Sequence, residues 1–201
     1  MVIGKNFVVT MIILLSTIGC AMSLYKKPVD YIETDFSRIR VLNGPIILEM
    51  TIYEESNGCY KGGEHFSLSS GVIFFNTRPS KKVSGMLPPS QELQNKNVQE
   101  FIVKANQKLE ILYGEQTYST QYYAPYDDSS PYTNYIFDTH FYTFRFSPEV
   151  GHDYDIYPIS GGIKIIDLTS NTLVQNNWGK DKECKYKNWF WEPEYIPKRY
   201  E

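Results

Sequence analysis

Between Ile46 and Glu55 the chain reads IILEMTIYEE, with Ile46, Leu48, Met50 and Ile52 on one alternating face and Ile47, Glu49, Thr51 and Tyr53 on the other. Only an extended strand has a period of two, so this segment is a strand half buried against a core. Comparable short runs recur at Arg38–Leu42, Gly71–Phe75, Glu100–Lys104, Lys108–Tyr113, Ile136–Phe146, Asp153–Ile159 and Gly162–Leu168. Turn formers separate them: Asn43-Gly44-Pro45, Asn57-Gly58, Gly62-Gly63, Ala105-Asn106-Gln107 and Gly161-Gly162. Residues 76–97, with Pro79, Pro88 and Pro89, read as loop with one helical turn at Gln91–Asn95. No segment carries the period of an amphipathic helix. About eight strands at spacings of roughly 8–15 residues predict an all-β, antiparallel β-sandwich. Seventeen Tyr and eleven Phe agree with this, because aromatic rings suit pleated, half-buried surfaces.

The stretch FRFSPEVGHDYDIY (Phe144–Tyr157) sharpens the architecture. Pro148 presets a turn and Gly151 can take positive φ. Tyr154, three residues beyond the glycine, is placed to return its hydroxyl to the corner backbone. The arrangement resembles the tyrosine corner of immunoglobulin-, fibronectin- or transthyretin-like sandwiches. That resemblance implies an architecture and no activity.

The first residues are a different kind of sequence. Lys5 precedes FVVTMIILLSTI (Phe7–Ile18), a dozen uncharged residues. This is the length of a signal-peptide core and short for a bilayer span. Gly19-Cys20 closes the run, and the region resembles the lipobox of bacterial lipoproteins. Thr17 stands where that family usually has Leu. The resemblance implies cleavage between Gly19 and Cys20, acylation of Cys20 and a membrane anchor, each buried CH₂ adding about 0.8 kcal/mol. Ala21 rather than Asp follows, which implies the outer membrane in a cell with two membranes; the domain is expected to face the periplasm. The alternative is an ordinary secretory leader cut near Ala21. The organisation expected is a leader over 1–19, a lipidated N-terminus and tether over 20–37, and a sandwich with a Trp-rich tail over 38–201.

With Cys20 acylated, Cys59 and Cys184 remain, 125 positions apart. An oxidising compartment would let them join, and two free thiols are the alternative. Without Lys5 the net charge of -3 becomes -4, and no basic stripe supports binding to nucleic acid.

Candidate sites are few. Trp178, Trp189 and Trp191, with Phe190 and Tyr195, could stack on a sugar or peptide, or cover an open sheet face. The loop Tyr122–Tyr135, with Tyr122, Tyr123, Tyr126, Tyr132 and Tyr135 around Asp127-Asp128, has the composition of a binding loop, or is a solvated connection. His65, His140 and His152 lack metal-ligand spacing, and His140 is expected to pack on its strand face. Glu54, Glu55 and Glu64 are the carboxylates a glycan hydrolase reading would need. No nucleotide, nucleophile-elbow, cofactor or metal motif is present. The expected function is a non-catalytic, lipid-anchored envelope module that binds or scaffolds a protein partner. A glycan- or peptide-binding module is the alternative.

Overall fold

A computed structural model describes residues 26–69, 79–123, 132–187 and 194–197. Its strands are β1 (Phe36–Leu42), β2 (Ile47–Ser56), β3 (Cys59–Ser67), β4 (Val98–Lys104), β5 (Lys108–Tyr123), β6 (Tyr132–Phe146), β7 (Asp153–Ile159), β8 (Gly162–Asp167), β9 (Thr172–Leu173), β10 (Cys184–Lys187) and β11 (Glu194–Pro197). One sheet has the order β4-β1-β7-β8-β9 and the other β3-β2-β5-β6, while β10 and β11 pair as a ribbon. The chain is an all-β sandwich, as its alternation predicts.

The apolar faces meet between the sheets. Ile39 and Val41 of β1, Leu48 and Met50 of β2, Leu109 and Ile111 of β5, Phe146, Ile156 and Ile165 are all at most 1% exposed. Each such side chain contributes about 1.5–3 kcal/mol, and a one-residue slip would lose the whole face, so this burial fixes register. The turns are set locally. Asn57 (φ 52°) and Gly58 (φ 77°) make a two-residue hairpin between Ser56 and Cys59, where both positions need positive φ. Asn106 (φ 59°) turns β4 into β5.

The structure departs from the sequence reading in several places. β1 and β7 run parallel, the one exception among the described strand pairs to an antiparallel sandwich. A hairpin forces antiparallel pairing, but β1 and β7 meet only after the chain has crossed to the other sheet and back. Gly62 and Gly63 lie inside β3, not in a turn. They sit beside an irregularity between Thr51 and Tyr53, where a Cβ on Gly63 would come within 3.1 Å of the Ile52 carbonyl oxygen. Strand glycines commonly mark such bulges. Residues read as tether also touch the sandwich: Tyr31 N–H donates to Ile102 C=O at 3.0 Å, and Asp30 accepts from Ile102 N–H at 3.0 Å. The strand read at Gly71–Phe75 lies outside the described residues.

The outer face of the five-stranded sheet is not left to water. Arg40, Glu100 and Asp155 form a buried ionic row on it, at 3%, 2% and 0% exposure. Arg40 donates to Glu100 and Asp155, each at 2.8 Å. Residues 79–97 run across this row as a strap: Val83 N–H donates to Glu100, Leu87 N–H to Asp153 and Ser90 N–H to Asp155. The strap is thus held by backbone donors meeting buried carboxylates, with Leu93 as its apolar anchor against Val98 and Tyr157.

Candidate functional site

Three regions hold the residues that could carry function. The first is the start of the tail. Cys59 and Cys184 are joined by a disulfide, with Cα atoms 5.0 Å apart, so the tail is fixed to the β2–β3 hairpin. Trp178 is 4% exposed. Its ring lies 4.8 Å from Tyr53 and 5.9 Å from Tyr60, and the Arg145 guanidinium sits 4.6 Å from its centre. Arg145 pairs with Glu110 and Glu183, and burial together with those two carboxylates raises the Tyr53 hydroxyl above its usual range. Burial alone would lower Arg145, but the same carboxylates outweigh it and raise it. Trp178 therefore seals the outer face of the four-stranded sheet and has no face to offer a ligand. Trp189, Phe190 and Trp191 lie outside the described residues, and Tyr195 lies in β11.

The second region is a cleft of about 310 Å³ at the tyrosine corner, lined by Ser147, Glu149, His152, Tyr154, Asp167 and Ser170 among others. The corner forms as its sequence predicts: Gly151 has φ 77°, and the Tyr154 hydroxyl accepts the Glu149 N–H at 2.9 Å. Burial pushes the Tyr154 hydroxyl up to about 12. His152 Nδ1 meets Asp167 at 2.7 Å, and Asp167 also accepts the N–H groups of Thr169 and Ser170. Burial would raise Asp167, but His152 and these N–H donors hold it below the usual carboxylate range. The serine hydroxyls here have partners of their own. Ser147 accepts from Lys108 at 2.9 Å, Ser170 pairs with Thr172 at 2.7 Å, and the carboxylate beside His152 Nε2 is Glu149 at 3.7 Å. The pair ties the corner to the β8–β9 turn.

The remaining polar candidates do not converge. Glu54, Glu55 and Glu64 are all exposed, Glu54 facing Lys61 and Glu64 facing Lys26. His65 is held on the outer sheet face by Thr51 and Glu49. No group of metal-ligating side chains occurs among the described residues.

The third region is an arm. β2 leaves its neighbour at the Ile47–Gly114 pair. β5 and β6 continue together for nine more register pairs, from Glu115–His140 to Tyr123–Tyr132. At about 3.3 Å per residue the ribbon extends roughly 30 Å past that point. Gly114 marks the departure, because a Cβ there would meet Ile47 at 3.0 Å and Phe141 at 3.1 Å. Both ends of the loop read at Tyr122–Tyr135 are strand: Tyr122 and Tyr123 belong to β5, and Tyr132 and Tyr135 to β6. Tyr126, Asp127 and Asp128 lie outside the described residues. Tyr118 is 77% and Phe141 61% exposed. His140 is exposed too, with Asp138 3.2 Å away, and does not pack as its strand face suggested. Among the described residues no second sheet covers that face at His140. No sequence signal gave the arm's length, because EQTYSTQYY (Glu115–Tyr123) lacks the apolar alternation of a half-buried strand.

Gly19 and Cys20 lie outside the described residues. Comparison with family models, curated proteins and solved structures finds no match to this chain.

Proposed function

We propose that this chain is a non-catalytic, lipid-anchored protein of the bacterial envelope that uses the β5–β6 arm to bind a protein partner. The observation that carries this reading is the arm itself. A two-stranded ribbon is marginal in water without a third strand or a covering layer. This one exposes Tyr118 and Phe141, and aromatic residues are typical interface anchors. The anchor rests on the lipobox-like stretch ending at Gly19-Cys20, and the outer-membrane location on Ala21. A module for glycan or peptide would use Tyr123 at the end of β5 and Tyr126 of the Tyr-rich segment, or Trp189 and Trp191 of the tail.

A photo-crosslinking residue at Tyr118 in the full chain, expressed in bacteria, tests the arm. Protein adducts at Tyr118 and none at Leu173, which is 53% exposed on β9, are expected. Equal labelling at both positions, or none, would overturn the reading. The intact mass of the membrane-extracted protein tests the anchor: a chain beginning at Cys20 with added acyl mass is expected, and an uncut chain refutes it.

A further inference from the structure

The two ends of β6 are treated differently. At Arg145 the outward backbone is satisfied, because its N–H donates to Asn176 at 2.7 Å and its C=O accepts the Asn177 N–H at 3.1 Å. The β5–β6 register is unbroken, so the backbone groups of Thr143, Phe141, Thr139 and Phe137 point to that same side. Among the described residues nothing pairs with Phe141 or Thr143 there, and the Thr139 N–H meets only its neighbour Asp138 at 2.8 Å. Long edge strands are usually shortened, covered, or given lysine or proline. Tyr132–Phe144 has neither lysine nor proline.

We propose that this edge pairs with the same edge of a second copy of the chain, antiparallel about Thr139. The proposal rests on reading the arm as an interaction element, and it names the occupant. The chemistry of Ile136-Phe137-Asp138-Thr139-His140-Phe141-Tyr142 is nearly palindromic. A two-fold axis at Thr139 sets Thr139 against its own copy and Asp138 against His140 of the second chain. It also sets Phe137 against Phe141, and Ile136 against Tyr142. Thr–Thr and aromatic pairs are favourable cross-strand combinations, and the Asp138 carboxylate can accept a hydrogen bond from the His140 ring of the second chain. Moving the axis one residue destroys this. An axis at Asp138 opposes two carboxylates, and one at His140 leaves Asp138 facing Tyr142. The groups involved are accessible: Asp138 is 65%, His140 57% and Phe141 61% exposed. Pairing exchanges the exposed Asp138–His140 contact within one chain for two between chains. It also turns two marginal ribbons into one four-stranded sheet, and a self-complementary contact of this kind closes as a dimer.

The test uses the full chain in bacterial membranes. Cα atoms of a hydrogen-bonded antiparallel pair lie about 5.5 Å apart, within disulfide range. Thr139→Cys should therefore give a covalent species of twice the monomer mass under mild oxidation. Thr117→Cys, placed opposite Asp138 on the inner strand, should not. Light scattering of the detergent-solubilised wild type should report twofold the monomer mass. Asp138→Lys should halve it, and Asp138→His combined with His140→Asp should restore it. Equal crosslinking at both cysteines, or a mass that Asp138→Lys leaves unchanged, overturns the proposal. A monomer whose Tyr118 adducts are all to other proteins overturns it while the interaction arm stands. A monomer with no adducts overturns both.

Discussion

Replacing Arg40 with methionine keeps a long, flexible side chain and deletes its charge. Arg40 is 3% exposed and donates to Glu100, Asp155 and the Leu87 C=O at 2.8, 2.8 and 2.7 Å. Methionine would leave Glu100 and Asp155 buried against an apolar tip. Breaking one side of a buried ionic network typically costs about 3–5 kcal/mol. Glu100 keeps Lys82 and the Val83 N–H, and Asp155 keeps the Ser90 N–H, so the lower end of that range, about 3 kcal/mol, is expected. For a domain of this size each kcal/mol moves Tm by roughly 2–4 °C, so Arg40→Met should lower it by about 6–12 °C. The assay is thermal unfolding of the full chain by circular dichroism with the disulfide intact. Limited proteolysis alongside it should show residues 79–97 cut first, because the strap loses the row that holds it. Adding Glu100→Gln, which removes one stranded charge yet keeps an acceptor for Val83, should recover part of the loss. A cost below about 1 kcal/mol, the range of exposed pairs, would mean that water reaches these charges and that the strap does not cover them.

Other consequences can be measured on the same protein. Reducing the Cys59–Cys184 bridge, or replacing both cysteines with serine, should cost up to about 4–5 kcal/mol in the chain-entropy model, read as a lower denaturation midpoint. Quenching of Trp178 by acrylamide should rise with it, since the bridge fixes the tail that carries this ring. Tyr154→Phe removes the acceptor for the Glu149 N–H and should cost about 1–2 kcal/mol in urea unfolding, whereas a neutral result would deny the corner its role. Acid should also destabilise the fold. Glu100 and Asp167 both have carboxyls held below their unfolded values, so their stabilisation is complete above about pH 5 and is lost as pH falls through the lowered folded values. A midpoint that stays flat from neutral pH down to about pH 3 would refute this.

Some elements were legible because a single local rule decides them. Alternation placed β2 with Leu48 and Met50 on one face, the face that is buried, since burial of one face is the only stable use of a period of two, and short apolar runs placed β7 and β8 as strands. Asn57-Gly58 and the Pro148–Tyr154 corner were legible because left-handed backbone and ring placement depend on a few adjacent residues. β3 was hidden by Gly62-Gly63, which has the composition of a turn and the role of a bulge. The outer part of β5, Glu115–Tyr123, and the start of β6, Tyr132–Tyr135, were hidden because EQTYSTQYY lacks the apolar alternation of a half-buried strand.

The candidate site divides the same way. An all-β chain, a corner closed by Tyr154 and a Tyr-rich segment worth suspecting were all readable from local patterns. Local periodicity and turn chemistry act over a few residues and survive without knowledge of distant partners. Long-range contacts were needed to place Arg40 under a strap, to make Trp178 a seal rather than a platform, and to draw the strands that flank the Tyr-rich segment out into an arm. Each of those depends on a contact between residues tens of positions apart. Burial of a charge, cover for a ring and an open strand edge are properties of neighbours in space, which no local pattern encodes.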